Sequence, residues 1–140
     1  MDYETFVDEI CRLSNKIKDT GYEPDMIIGI LRGGAVPARY LSTALDVKDM
    51  SAIEVVKDGE GRRVVAAPTY NIEGLKILLV EDVLESGKSL DVGKKYLESN
   101  GAIVKTACLY TMPVSEIEPD FSLKEIEYVV TFPWEIVSCS

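Results

Sequence analysis

Histidine is absent from this chain of 140 residues, and cysteine occurs only three times. Without histidine, neither a Ser–His–Asp nor a Cys–His catalytic centre can form, and histidine-ligated zinc is excluded. Cys11, Cys108 and Cys139 lack the spacing of a metal site, and their odd number favours reduced thiols over a disulfide framework. Acid–base chemistry must therefore use carboxylates, lysine, tyrosine or the substrate itself.

Positive charge and long apolar runs are also scarce. The chain has 15 Lys and Arg against 24 Asp and Glu, a formal net charge of −9, which argues against nucleic acid as a partner because phosphate-backbone binding needs clustered cations. No apolar stretch approaches the roughly 20 residues of a membrane helix, and no secretory signal is visible. We therefore expect a single cytoplasmic domain without a membrane partner.

Helix-like and strand-like apolar spacings alternate along the chain. Phe6, Ile10, Leu13 and Ile17 recur at spacings of four, three and four, which predicts an amphipathic helix over residues 2–20. Further helices are predicted at 37–45 and 90–100, and strands at 26–30, 53–56, 64–65, 77–80, 103–110 and 128–132. Residues 57–71 are expected to form a polar loop with a mobile middle. The order predicts an α/β fold with three layers, in which helices cover both faces of a mainly parallel sheet.

The strand at residues 77–80 is followed by two adjacent carboxylates, Glu81 and Asp82, at the sheet edge where such folds bind ligands. A Ser- and Gly-containing turn at residues 86–89 then leads into a helix, whose free N–H groups can surround a phosphate. Carboxylates repel phosphate, but they accept hydrogen bonds from sugar hydroxyls and can hold Mg²⁺. A sugar that carries both a phosphate and free hydroxyls satisfies both halves of the loop.

Two other interpretations of this loop are weaker. A nucleotide-triphosphate P-loop needs a glycine where Asp82 stands, so the Gly–Lys–Ser sequence at residues 87–89 does not complete that motif. A solvated acidic turn with a serine cap, and no ligand, is the structural alternative.

The residues from Val80 to Ser89, VEDVLESGKS, closely resemble the signature of type I phosphoribosyltransferases, which bind phosphoribosyl pyrophosphate (PRPP). The form is most similar to that of the hypoxanthine–guanine and xanthine–guanine enzymes. The resemblance implies that Glu81 and Asp82 contact the ribose hydroxyls and are the candidate Mg²⁺ ligands, directly or through water. It also implies a catalytic residue and a phosphate cradle: Glu85 as the general base, and Ser86, Gly87, Lys88 and Ser89 around the 5-phosphate.

A second segment, Leu31, Arg32, Gly33 and Gly34, is similar to the pyrophosphate loop of the same family. Glycines there let backbone N–H groups approach a diphosphate, and the arginine adds positive charge. Residues 57–71 correspond in position to the family's flexible loop. The two arginines at positions 62 and 63 either meet the pyrophosphate or are ordinary solvated charges.

The sequence departs from the family where the acceptor base would bind. Met112 stands at the position of a lysine that reads the 6-oxo group in related purine enzymes, and Glu85 replaces an aspartate. The C-terminal segment resembles the base-binding end of the xanthine–guanine enzymes. This places Val129 at the stacking position, Val130 at the backbone-reading position, and Glu135 at an acid near the base or a metal-bound water.

Three aromatic residues near the C-terminus, Tyr128, Phe132 and Trp134, either stack on the base or pack in the core. The resemblance implies a core of residues 21–112 and a small hood built from residues 1–20 and 113–140. It implies transfer of a phosphoribosyl group from PRPP to a nitrogenous base, with a 6-oxopurine as the leading expectation, and a homo-oligomer, dimer or tetramer. A pyrimidine or another acceptor, and a non-catalytic PRPP- or nucleotide-sensing protein, are the alternatives.

Overall fold

A computed structural model describes residues 1–139. In chain order its helices and strands are α1 (Tyr3–Asp19), β1 (Met26–Leu31), α2 (Ala35–Ala44), β2 (Met50–Asp58), β3 (Gly61–Ala66), β4 (Lys76–Val80), β5 (Val83–Leu84), α3 (Lys88–Ser99), β6 (Ile103–Ala107), β7 (Tyr110–Thr111) and β8 (Lys124–Glu125). A short 3₁₀ helix spans Pro133–Glu135. None of the helices in residues 1–139 combines the length and apolar character that a membrane crossing requires.

Five strands form the main sheet in the order β3–β2–β1–β4–β6. Strands β2, β1, β4 and β6 pair in parallel, whereas β3 is antiparallel to β2. The short strands β5, β7 and β8 form a second, parallel sheet beside it. This arrangement confirms the predicted α/β class with a mainly parallel sheet.

The two faces of the main sheet bury separate apolar cores. Successive side chains of a strand point to opposite faces, so Ile27 and Leu78 pack with α1 and α2, while Ile28 and Leu79 pack on the side of α3. The periodicity predicted for the first helix is confirmed, because its four apolar positions, Phe6, Ile10, Leu13 and Ile17, are all buried. Helices therefore cover both faces and leave the carboxyl ends of the strands open.

The prediction of a strand at residues 128–132 is wrong. The structure has no regular secondary structure there, and the eighth strand lies earlier, at Lys124–Glu125. Tyr128 and Val129 are 82% and 66% exposed, so the apolar run does not line a buried ladder. The segment pairs with no strand among the described residues; instead its Phe132 N–H donates to the Glu135 carboxylate and its Thr131 carbonyl accepts from the Met1 amine.

Two other predictions need smaller corrections. The strand predicted over residues 103–110 divides into β6 and β7, which belong to different sheets, because the backbone N–H groups of Cys108 and Leu109 donate to Phe121 and Asp82 between them. The predicted loop at residues 57–71 is in large part the β2–β3 hairpin, and the strand predicted at residues 64–65 extends over all of β3.

Candidate functional site

The two glycine-containing loops meet at the carboxyl edge of the sheet, because β1 and β4 are adjacent parallel strands. They open into a cavity of about 390 Å³, called the main cavity here because most of the candidate residues line it. Most of the residues singled out from the sequence line it: Leu31, Arg32, Gly33, Glu81, Asp82, Glu85, Ser86, Gly87, Lys88, Ser89, Val129, Val130 and Glu135. The fold thus brings the acidic pair, the serine-glycine turn and the C-terminal segment to one opening.

The two loops fit closely against each other. A Cβ added to Gly33 would lie 2.5–2.7 Å from the carboxylate atoms of Asp82, which is closer than side chains pack. Gly33 therefore lets the first loop approach the acidic pair. The peptide bond between Leu31 and Arg32 is cis.

Gly34 and Met112 do not line the main cavity. A Cβ on Gly34 would meet the carbonyl oxygen of Val80, so this glycine lets the loop cross the end of the neighbouring strand. The N–H of Met112 donates to the carbonyl of Leu84 at 2.9 Å and extends the small sheet. Gly34 and Met112 therefore contact the strand ends next to the cavity without lining it.

The acidic pair is partly buried and carries perturbed carboxyl groups. Burial and the neighbouring charge of Asp82 raise the pKa of Glu81 well above its ordinary value. Burial also raises the pKa of Asp82, to which the nearby Glu135 contributes repulsion. The N–H of Val83, which donates to Asp82 Oδ1 at 2.6 Å, opposes that rise. A bound cation, or hydroxyl groups that donate hydrogen bonds, would stabilise the charged form of these two carboxylates.

The turn before α3 exposes backbone N–H groups to the cavity. Gly87 adopts a φ of +82°, in the left-handed region, immediately before the helix begins at Lys88. The first N–H groups of a helix have no intrahelical acceptor. Within residues 1–139 no group accepts a hydrogen bond from the N–H of Ser89 or of Leu90. The serine hydroxyls and these N–H groups offer an anion a set of donors.

Two positively charged side chains, Lys88 and Arg62, connect this turn with the β2–β3 hairpin or line the cavity beside it. The Lys88 ammonium donates to the carbonyl of Glu60, in the β2–β3 turn, at 3.3 Å. On the same hairpin, Arg62 lines the main cavity, whereas Arg63 faces away and pairs with Asp58 at 3.7 Å. The hairpin therefore lies over the turn and adds one of its two arginines to the cavity.

The C-terminal segment adds an apolar wall to the main cavity, formed by Val129, Val130 and Phe132. The Phe132 ring is 1% exposed and lies parallel to the rings of Tyr110 and Trp134, with centroid distances of 6.4 and 4.8 Å. Because the ring is almost wholly buried among other aromatic rings, Phe132 is a packing residue. Trp134 instead lines an adjoining side cavity of about 540 Å³.

Comparison with known proteins assigns the fold to a family. The phosphoribosyl transferase domain matches residues 2–140. The chain belongs to the phosphoribosyltransferase family. The predicted family is thereby confirmed, and the fold is that of its solved members.

Individual phosphoribosyltransferases with which the chain shares sequence act on different bases. It is 35% identical to an orotate phosphoribosyltransferase of Sulfurisphaera tokodaii over 73% of this chain and 50% of the relative. It is 32% identical to a hypoxanthine-guanine phosphoribosyltransferase of Lactococcus lactis over 76% of this chain and 65% of the relative. The chain thus spans about half to two thirds of the length of these curated relatives.

A solved phosphoribosyltransferase matches the whole chain. The purine phosphoribosyltransferase of Pyrococcus horikoshii has a TM-score of 0.86 and 30% identity, over 100% of this chain and 95% of that one. The architecture described above is therefore the fold of the family.

The acidic pair fits Mg²⁺ only together with a substrate. Within residues 1–139 no three acidic or thiol side chains gather closely enough to hold a metal by themselves. Mg²⁺ is commonly held by one or two carboxylates together with substrate phosphates and water. Glu81 and Asp82, crowded and raised in pKa, supply two such carboxylates.

Sequence reasoning missed several residues that line the main cavity. Val83, Leu84 and Leu90 belong to the signature segment, but their apolar side chains gave no reason to select them. Arg62 was left undecided, since only the pairing of β2 with β3 determines which of the two arginines faces the cavity. Residues 132–135 carried no capping-box signal, because Phe132 has no side-chain oxygen to accept a hydrogen bond; only the structure shows that the Phe132 N–H donates to Glu135.

Proposed function

We propose that the protein transfers the 5-phosphoribosyl group of PRPP to a nitrogenous base, with a 6-oxopurine as acceptor, and releases pyrophosphate. The observation that carries the proposal is the shared cavity: paired carboxylates and a helix N-terminus with free N–H groups line one opening. A ribose 5-phosphate matches this combination, since its hydroxyls donate to carboxylates and its phosphate accepts from N–H groups.

The phosphate of PRPP would lie on the turn before α3. Ser86, Gly87, Lys88 and Ser89 would supply the donors, and the ammonium of Lys88 adds a positive charge. Glu81 and Asp82 would accept from the ribose hydroxyls. Positive charge that develops on the ribose ring during the reaction would be stabilised by the same carboxylates.

The pyrophosphate would lie against the loop Leu31–Arg32–Gly33–Gly34 on β1, with Arg62 approaching from the hairpin. Glu81 and Asp82 would hold Mg²⁺, directly or through water, and bound Mg²⁺ would neutralise charge on the leaving pyrophosphate. Arg32 contributes positive charge on the protein's side. The bond between C1 of the ribose and the pyrophosphate oxygen breaks as the acceptor nitrogen attacks C1.

Glu85 is the proposed general base. Its side chain is exposed and lines the main cavity on the same turn as the phosphate donors. The carboxylate would accept the proton that the acceptor nitrogen loses on bond formation. The acceptor would lie against the apolar wall, with the backbone at Val130 reading its edge and Val129 against its face; Met112, outside the cavity, would act only through packing.

A pyrimidine acceptor is the second candidate. It is favoured by the similarity to orotate phosphoribosyltransferases of Sulfurisphaera tokodaii and Deinococcus radiodurans, at 35% and 34% identity. The cavity carries the carboxylates of Glu81, Asp82, Glu85 and Glu135, so an acceptor that is itself a carboxylate meets repulsion there. This electrostatic reason ranks a neutral oxopurine first.

One incubation tests the proposal. The protein is mixed with PRPP, Mg²⁺ and, in separate reactions, hypoxanthine, guanine, xanthine, adenine, uracil or orotate, and pyrophosphate release is measured. Release with an oxopurine supports the proposal, and release with orotate alone supports the second candidate. Tight PRPP binding without turnover on any base favours a PRPP-sensing role, and no PRPP binding refutes both candidates. The surface variant Lys95→Ala should release pyrophosphate at the wild-type rate, since Lys95 pairs with Asp91 outside the cavity.

We further propose that residues 1–20 and 113–140 act as a hood over the core of residues 21–112, and that the protein forms a homodimer or homotetramer. The hood is supported by the position of Val129, Val130 and Glu135 at the cavity, and the assembly by analogy with the family. Light scattering of the purified protein measures the subunit number directly.

A further inference from the structure

The segment at residues 128–132 forms the apolar wall without belonging to a helix or strand. Its backbone has no ladder of hydrogen bonds to fix its shape, and two of its side chains, Tyr128 and Val129, are mostly exposed. Other contacts must therefore determine where Val129 and Val130 lie. The contacts that do so are concentrated at its carboxyl end.

Glu135 closes a hydrogen-bonded turn around the end of this segment. Glu135 Oε1 accepts a hydrogen bond from the N–H of Phe132 at 2.9 Å, while the Phe132 carbonyl accepts from the N–H of Glu135 at 3.0 Å. These reciprocal bonds join both ends of the 3₁₀ turn. The ring of Phe132 is at the same time stacked with those of Tyr110 and Trp134.

The same carboxylate also faces the acidic pair. Glu135 lines the main cavity and the side cavity, and Asp82 lines both as well. The repulsion between the two carboxylates contributes to the raised pKa of Asp82. One oxygen of Glu135 therefore holds the backbone of the apolar wall while the group as a whole lies beside the proposed ribose site.

We propose that Glu135 is a positioning residue for the acceptor: by holding the backbone of Phe132, its carboxylate fixes Val129 and Val130 at the wall of the main cavity. This inference rests on the proposed function, because it assigns the acceptor to that wall. It differs from a role in metal binding, since an uncharged hydrogen-bond acceptor of the same shape performs it equally well.

Two substitutions separate the hydrogen bond from the charge. Glu135→Gln retains a carbonyl oxygen that can accept from the Phe132 N–H, whereas Glu135→Ala removes the acceptor. Glu127→Ala is the matched control, because Glu127 is an exposed glutamate before the same segment and lines neither cavity. The Thr131 carbonyl separately accepts a hydrogen bond from the Met1 amine at 2.9 Å, and none of the three substitutions alters either group.

The first measurement needs no substrate. Hydrogen exchange of the Phe132 amide in the free protein is expected to accelerate about five- to tenfold in Glu135→Ala, the factor that corresponds to loss of one capping bond. Glu135→Gln and Glu127→Ala should exchange at the wild-type rate. Emission from Trp134, the chain's single tryptophan, reports whether the aromatic stack stays intact.

The second measurement is steady-state kinetics with hypoxanthine or guanine at saturating PRPP. Glu135→Ala should raise the acceptor KM about five- to tenfold with little change in kcat or in the PRPP KM, and Glu135→Gln should restore the wild-type value. If Glu135→Gln raises the acceptor KM as much as Glu135→Ala, or if alanine leaves Phe132 exchange unchanged, the inference is overturned. A wild-type protein that turns over no base refutes the proposed function instead, and the exchange measurement then still decides whether Glu135 holds Phe132.

Discussion

Replacing Gly87 with alanine probes the turn on which the proposed phosphate site depends. Gly87 has a φ of +82°, and a Cβ there would lie 2.8 Å from the Cβ of Ile117. Placing alanine in the left-handed region costs ~1–2 kcal/mol, and overpacking of a close contact typically adds ~1–3 kcal/mol. We expect Gly87→Ala to lower the free energy of unfolding by about 2–5 kcal/mol in total.

A matched control separates the two costs. Gly74 has a φ of +76° and no heavy atom within 4 Å of an added Cβ, so Gly74→Ala carries only the backbone cost of ~1–2 kcal/mol. Urea unfolding of both variants gives the difference, which isolates the contact with Ile117. Because that contact shifts the turn, Gly87→Ala should also weaken PRPP binding in calorimetry, whereas Gly74→Ala should not.

The reasoning would be refuted if the two variants lost the same stability within about 0.5 kcal/mol, the usual range of surface substitutions. Equal stability loss would mean that the segment containing Ile117 moves freely. Unchanged PRPP affinity in a destabilised Gly87→Ala would separate the turn from phosphate binding and count against the proposed function.

Three further predictions concern single ionisable groups. Glu85→Gln should lower kcat by about 10²–10⁴, the range for a general base, while PRPP affinity in calorimetry stays near wild type; equal losses in both would reject the role. The pKa of Glu81 is raised by burial and by Asp82, so the folded state binds the proton more tightly than the unfolded state and stability falls as pH rises above the ordinary carboxyl range. Glu81→Gln should therefore unfold at higher urea than wild type at pH 7 while losing PRPP binding, and a lower midpoint would contradict this sign. Burial raises the pKa of the Cys108 thiol to about 12, so iodoacetamide at pH 8 should label the exposed Cys11 and Cys139 and leave Cys108 unmodified, as mass spectrometry of the folded protein will show.

Some features behind those predictions are local in sequence, and others depend on long-range contacts. The paired acids and the serine-glycine turn are local in sequence, and a strand followed by a helix places them at a sheet edge wherever it occurs in a parallel fold. The amphipathic spacing from Phe6 to Ile17 likewise determines α1, because all four apolar residues fall on one helical face. The fold class and the expectation of a ligand loop followed from these features, and the family followed from the resemblance of residues 80–89 to its signature.

The acceptor side depended on contacts that sequence periodicity does not encode. Residues 128–132 have an apolar, strand-like composition, but they join neither of the described sheets. The segment is instead shaped by the aromatic stack around Phe132 and by the carboxylate of Glu135. Met112 was selected as a base-binding residue from the family resemblance, but its N–H donates to Leu84 and so extends the small sheet.

By itself the sequence determined the elements whose cause is local: the helix faces, the buried strands of the main sheet, and the run from Glu81 to Ser89. Only the tertiary structure decided which loops meet, because the adjacency of β1 and β4 is a pairing of segments about 50 residues apart. That pairing brings Gly33 against Asp82, and the packing of the chain's carboxyl end adds Glu135 to the same opening. Long-range pairing depends on how whole surfaces fit together, so no spacing within either segment could have specified it.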